Sequence, residues 1–176
     1  MTLPQQVALL LEAADKGIIQ AEDVVRWADS IIAATETPEP WLIELSTLGS
    51  IHMQDYVSRL SKHSAECTEP RRQMQLLVLA YRSGLLGFPD TLPLLFRVLI
   101  TERKGREPDR LEEHLVDALV SWDCQEDLDV VDPLLRSRFE RLFDEAQQGT
   151  SEIAAVLPWK FRAEPDTAPN AALPHQ

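Results

Sequence analysis

The chain has 176 residues, 44% of them hydrophobic, 6% aromatic and 26% charged, the composition of one ordinary globular domain. At this length folding buries roughly 70% of the unfolded chain's surface, so a core needs no metal or disulfide staple. Seventeen Lys+Arg against 29 Asp+Glu give a net charge of −12, which argues against a nucleic-acid backbone or an anionic membrane as the main partner, because both repel an acidic surface.

The apolar residues recur at helical spacing from one end of the chain almost to the other. Val7, Leu10, Leu11 and Ala14 predict a helix over 4–16. Val24, Trp27, Ala28, Ile31 and Ile32 predict one over 21–34, and Pro40 opens another over 40–49. Met53, Tyr56, Val57 and Leu60 mark 52–64; Met74, Leu77, Val78 and Tyr81 mark 70–83. Leu92, Leu95, Phe96 and Leu99 mark 91–104; Leu111, Leu115, Ala118, Leu119 and Trp122 mark 108–122. Leu135, Phe139, Leu142, Phe143 and Ala146 mark 133–148, and a short ninth helix is expected over 151–157. Gly17, Gly84 and Gly149 each follow an apolar stripe, where a left-handed helix end favours glycine. Pro40, Pro70, Pro108 and Pro133 stand at expected first turns, with Thr68 and Asp132 as N-caps. Strands lack support: no segment alternates with period two for long, and no Asn-Gly or Asp-Gly turn occurs.

The expected architecture is therefore all-α: a compact bundle of about eight helices in antiparallel hairpins, with a short α-solenoid as the alternative. No shared motif recurs at 30 to 47 residues, which favours the bundle. Leu76 and Leu79 lie off the main stripe of their helix, so the helices near 70–83 and 91–104 are expected to be the central pair. The organisation reads as one helical domain over 1–157 and a Pro-rich tail over 158–176, partly disordered unless Trp159 and Phe161 tie its start to the core. Two cysteines, Cys67 and Cys124, suit a reducing compartment, and the N-terminus lacks the features of a signal peptide, so a cytoplasmic location is expected. The longest apolar run, from Ser83 to Phe96, is broken by Asp90 and two prolines, so no membrane span is expected.

Motifs for catalysis or cofactors are missing. The histidines His52, His63, His114 and His175 make no i, i+3 or i+4 pair, and the His63–Cys67 pair has no second half. There is no Gly-x-Ser-x-Gly elbow, no glycine-rich phosphate loop and no Glu-x-x-His, and Cys124 sits among acids that would raise its thiol pKa. No metal and no cofactor are expected.

Four features remain. Ten acids lie between Glu107 and Asp132, opposed only by Arg110, so this segment carries −9 of the chain's −12. Either a basic protein docks on it, through Glu112, Glu113, Asp117, Glu126 and Asp127, or it is a solvated face that aids solubility. Asp127, Asp129 and Asp132 have part of a calcium loop's spacing, without its glycine or terminal glutamate. Glu44, inside the run Trp41-Leu42-Ile43-Glu44-Leu45, is the carboxylate expected to be partly buried, working through a raised pKa or simply capping a helix or reaching the rim. Trp27 and Trp122 read as core, whereas Trp41 either binds a partner or packs as a staple. Trp159 is the tryptophan expected to be exposed, as a docking segment with Phe161 or as a flap on the bundle.

The runs Asp15-Lys16-Gly17-Ile18-Ile19, Val24-Val25-Arg26-Trp27-Ala28-Asp29 and Pro40-Trp41-Leu42-Ile43-Glu44-Leu45-Ser46 resemble small bacterial all-helical proteins of unknown function, some of them found in toxin-immunity loci. The resemblance covers residues 15–47 and brings no catalytic residue with it. It implies a bacterial cytoplasmic protein, an immunity protein or another interaction partner. The expected function is thus a non-catalytic protein-interaction module with a basic protein partner, with toxin neutralisation as its most specific form. The alternative is a helical enzyme or small-ligand binder without a recognisable motif.

Overall fold

A computed structural model describes residues 1–65, 69–102 and 133–161. These residues form eight helices and no strand: α1 (Leu3–Asp15), α2 (Ala21–Ala34), α3 (Pro40–Thr47), α4 (Met53–Leu60), α5 (Pro70–Arg82), α6 (Phe88–Glu102), α7 (Pro133–Ala146) and α8 (Thr150–Val156). The expected helix over 108–122, with Pro108, Trp122 and Cys124, lies outside the described residues, as do Cys67, Thr68, Asp132 and the tail from 162 onward. Among the described residues no helix is long and apolar enough to cross a membrane.

The helix ends follow local chemistry. Pro40, Pro70 and Pro133 each occupy the first helical position, where the missing N–H has no helical partner to lose. The N-cap of α5 is Glu69, one residue later than the expected Thr68. Gly17 and Gly84 close α1 and α5 with φ of +69° and +73°. At α1, Ile18 N–H donates to Ala13 O (2.9 Å) and Gly17 N–H to Ala14 O (3.0 Å), a Schellman closure that satisfies two otherwise orphaned carbonyls. Nothing lies within 4 Å of a Cβ built on Gly17, so the cost of a side chain there is backbone strain alone. Gly17→Ala is expected to destabilise the protein by about 1–2 kcal/mol, visible as a lowered melting temperature. An unchanged melting temperature would show that the left-handed conformation is not required.

α6 begins at Phe88, three residues before the expected start at 91. Pro89 falls in its first turn, where proline is tolerated, and Thr91 anchors that turn by donating both its N–H (3.0 Å) and its hydroxyl (2.7 Å) to Gly87 O. Pro93 then stands inside the helix. Its solvent-facing ring is carried by the wholly buried Leu92 and Leu95 on either side. α3 and α4 are shorter than their stripes suggested. α3 stops at Thr47, two residues before a left-handed Gly49, and α4 runs out into a tight turn in which His63 N–H donates to Leu60 O (2.9 Å).

Two apolar cores meet across α5. The first gathers Leu9, Leu10 and Ala13 of α1, Val24, Trp27 and Ala28 of α2, Leu42 and Leu45 of α3, Tyr56 and Leu60 of α4, and Ile153 and Val156 of α8. The second gathers Phe88, Leu92, Leu95 and Leu99 of α6 with Phe139 and Phe143 of α7. α5 gives Leu76 and Ala80 to the first core and Met74, Leu77 and Val78 to the second. It packs against α1, α6, α7 and α8, so α5 is central as expected, while α6 lies to one side of it. Sequential helices pack closely at α2–α3 and α5–α6, whereas α1 meets α4 and α5 most closely.

Candidate functional site

The polar face of α2 forms one wall of a cleft. Val24, Trp27 and Ala28 point that helix into the core, which leaves Glu22, Arg26 and Asp29 on the outside, four and three residues apart. Ser46 at the end of α3, Gly49 and Ser50 in the following loop and Tyr56 of α4 close the other side. The cleft measures about 430 Å³ and is open to solvent, within the size range of sites for small groups. Two smaller hollows, of about 280 Å³ beside Trp27 and Glu152 and about 190 Å³ beside Lys16 and Arg97, lie elsewhere.

Most hydroxyls of the cleft already have acceptors. Ser46 donates to Asp29 Oδ1, Ser50 to Asp55 Oδ2 (2.5 Å) and Tyr56 to Ser50 O (3.2 Å). Burial first, and the nearby Glu22 carboxylate second, push the Tyr56 hydroxyl above its ordinary pKa, so it stays protonated at neutral pH. Donors committed in this way fix the cleft's shape rather than supply a nucleophile. Arg26 behaves differently. Its guanidinium carbon sits 5.6 Å from the centre of the Trp159 ring, within cation–π range. Among the described residues no ion pair joins it to Glu22 or Asp29.

Trp159 is held there by a buried carboxylate. Asp23, the third residue of α2, accepts the Gln20 N–H (2.9 Å), as in a capping box. It also accepts the Trp159 indole N–H (3.2 Å) and the Lys160 ammonium (2.9 Å). Burial acts to raise the Asp23 pKa, but these three donors more than offset it and hold the carboxyl below its ordinary value. Of the two readings of Trp159, the flap on the bundle is the one observed and the exposed docking segment is not: the ring is half-buried and packs with Phe161 on the first core. The reason is the buried Asp23 acceptor, which no tail residue revealed.

Two further expectations change. Glu44 is exposed rather than partly buried, because α3 turns Leu42 and Leu45 inward and sends Ile43 and Glu44 out. Trp41 packs: its ring lies 6.3 Å from that of the buried Trp27 and stacks on His63 at 4.3 Å with planes 9° apart. The structure therefore brings Trp41 and Glu44 onto α3 and Trp159 against α2, on elements that adjoin the cleft. Glu112, Glu113, Asp117, Glu126 and Asp127 lie outside the described residues. Glu22, Arg26, Asp29, Ser50 and Tyr56 were not singled out from the sequence. The spacing of the three charges on α2 was readable there, but the facing serines carry no signal until α3 is docked. Among the described residues no three His, Cys, Asp or Glu side chains converge as a metal site would require. Comparison with protein-family models, with curated proteins and with solved structures finds no match for this chain.

Proposed function

We propose that the protein is a non-catalytic interaction module whose α2–α4 surface docks a basic protein. The observation that carries this reading is Ile51, an isoleucine 80% exposed in the α3–α4 loop, with Ile43 of α3 46% exposed. They sit in a stretch of strongly acidic balance. Residues 21–60 hold seven acids and two arginines, a net −5. Asp23 is neutralised internally by Lys160, which leaves Glu22, Asp29, Glu36, Glu39, Glu44 and Asp55 as the acids of the same stretch of chain. Apolar anchors inside a charged rim are the usual anatomy of a docking patch. Burying one isoleucine side chain contributes about 1.5–3 kcal/mol, and the surrounding acids steer a basic partner.

The segment with Glu112, Glu113, Asp117, Glu126 and Asp127 carries charge of the same sign, and a basic toxin neutralised in a bacterial cytoplasm is the most specific partner we propose. A small-ligand binder or helical enzyme is the second reading, favoured by the polar cleft itself. The test is affinity capture from the native cell with the wild-type chain and with Ile51→Asp. A basic protein should be retained by the wild type and about tenfold less by the variant, a loss of about 1.4 kcal/mol. Its association should slow as salt rises. Retention indifferent to both changes, or the absence of any basic protein, overturns the reading.

A further inference from the structure

We propose that the hollow where the end of α1 meets α5 and α6 binds a small α-amino acid as its zwitterion, with Lys16 holding the carboxylate. The site lies apart from the α2–α4 docking surface and does not rest on it.

Glu12 and Lys16 stand four residues apart, acid before base, the order and spacing that pair best along a helix. Lys16 is also the C-cap of α1, where a cation faces the negative end of the helix dipole. Pairs of this kind normally stand in water, as Arg141 and Glu145 of α7 do with side chains 72% and 57% exposed. The side chains of Lys16 and Glu12 are only 3% and 19% exposed. A lysine with an open path to solvent sends its ammonium there, so the head of Lys16 is enclosed. An ammonium carries three N–H donors. Lys16 Nζ gives one to Glu12 Oε1, and among the described residues it has no other acceptor. Leaving donors of a buried charge unserved is costly. These two belong to a side chain that lines a hollow of about 190 Å³, so whatever fills the hollow must offer acceptors to Lys16.

The rest of the wall selects the guest. Asp15 and Arg97 also line the hollow and pair at 3.1 Å, joining α1 to α6. With Glu12 and Lys16 they make a wall of two acids and two bases, neutral as a whole. A lone anion would meet Glu12 and Asp15 as like charges, and a lone cation would meet Lys16 and Arg97. A zwitterion answers both signs. Its carboxylate takes the unused N–H donors of Lys16. Its ammonium donates to Glu12 Oε2 and Asp15 Oδ1, the oxygens that accept no hydrogen bond among the described residues. Val98 gives the wall its one apolar side chain. At roughly 30 Å³ per water, the hollow has room for about six groups of that size, the non-hydrogen atom count of alanine. The side chain of the guest is therefore small.

The experiment follows backbone amide chemical shifts of the full chain with L-alanine as the probe. Alanine should saturably shift the amides of Glu12, Lys16, Arg97 and Val98. Acetate and ethylamine, each with one half of its charge, should bind about tenfold more weakly or less, as expected when charge-assisted hydrogen bonds are lost. L-Phenylalanine, too bulky for the hollow, should leave these amides in place. Lys16→Met keeps the stem and removes the ammonium, and should weaken alanine about tenfold or more. If that variant melts at the assay temperature because Glu12 is left unpaired, the neutral pair Glu12→Gln with Lys16→Met serves and should lose binding likewise. Asp15→Asn changes an exposed side chain. It should weaken alanine about threefold while acetate binds no more weakly, a divergence that damage to the fold would not produce. Ile51→Asp should bind alanine as the wild type does, whatever becomes of the docking surface. Amides that stay in place with alanine mean a hollow that holds water only, and overturn the proposal. Acetate as tight as alanine, phenylalanine that binds equally, or undiminished affinity without the Lys16 ammonium overturns it too.

Discussion

Phe139→Ala is expected to destabilise the protein by about 3–5 kcal/mol, the range for removing a wholly buried aromatic ring. At this chain length each kcal/mol moves the melting temperature by about 2–4 °C, so a fall of about 10 °C should be measured. Phe139 is wholly buried and stands at the hub of the second core. Its ring centre lies 5.0 Å from that of Tyr81, 4.8 Å from Phe88 and 4.1 Å from Phe143. Tyr81 and Phe88 meet it nearly edge-on, at 81° and 70°, the arrangement that sets a positive ring edge against a negative face. Three elements, α5, α6 and α7, converge on this one side chain. Tyr81 adds a polar clasp at the rim, its hydroxyl donating to Glu140 at 2.7 Å, while Arg82 bridges Glu140 and Asp144. Those exposed bridges contribute little, so the core must hold α7 in place. Thermal melts of Phe139→Ala and Arg82→Ala separate the two terms. A larger loss from Arg82→Ala would invert this account.

Period 3.6 is enough to find the eight described helices, because each buries a stripe of residues spaced three and four apart. α2 ran from 21 to 34 as expected, and Gly17, Gly84 and Gly149 took the left-handed conformation their positions implied. Leu76 and Leu79 flagged α5 as covered on two sides, which is how it divides its side chains between two cores. The start of α6 was misread because proline is a breaker in mid-helix and a neutral residue in the first turn. The sequence alone does not say which role Pro89 takes until Thr91 is seen anchored on Gly87.

The site was far less legible. Its charges on α2 sit at readable spacings, but nothing in them shows that the Arg26 guanidinium lies 5.6 Å from the ring of a tryptophan 133 positions downstream. That Trp159 folds back follows from Asp23, and Asp23 looks in sequence like any first-turn acid. Hydrophobic patterning predicts which residues go inside, and it carries no information about which buried polar atom awaits a distant donor. Patterning therefore leaves Trp159 open between an exposed docking segment and a flap, and it places Glu44 partly inside, whereas the packing folds the first in and turns the second out.

Asp23 is the position where this long-range bond can be weighed. Replacing it by alanine removes the acceptor for the Gln20 N–H, the Trp159 indole N–H and the Lys160 ammonium at once. The side chains of Asp23 and Lys160 are 12% and 21% exposed, so the pair is mostly shielded from water. Breaking a fully buried pair costs about 3–5 kcal/mol, and Lys160 can partly escape to solvent, which points to about 2–3 kcal/mol here. Trp159 should come free, with a red shift of its fluorescence. Acid reports the same bond independently. The folded carboxyl sits below its ordinary value, so the unfolded chain binds the proton more readily than the folded one. Stability from the charged Asp23 is then complete above the unfolded value of about 3.9 and is lost as the pH falls through the lower folded value. The gap in unfolding free energy between wild type and Asp23→Asn should be widest at neutral pH and shrink below about pH 4. Denaturant melts of both proteins at pH 7, 5 and 3 measure it. A gap that persists unchanged into acid would mean that Asp23 stabilises by shape and neutral hydrogen bonding, with the Lys160 charge contributing nothing.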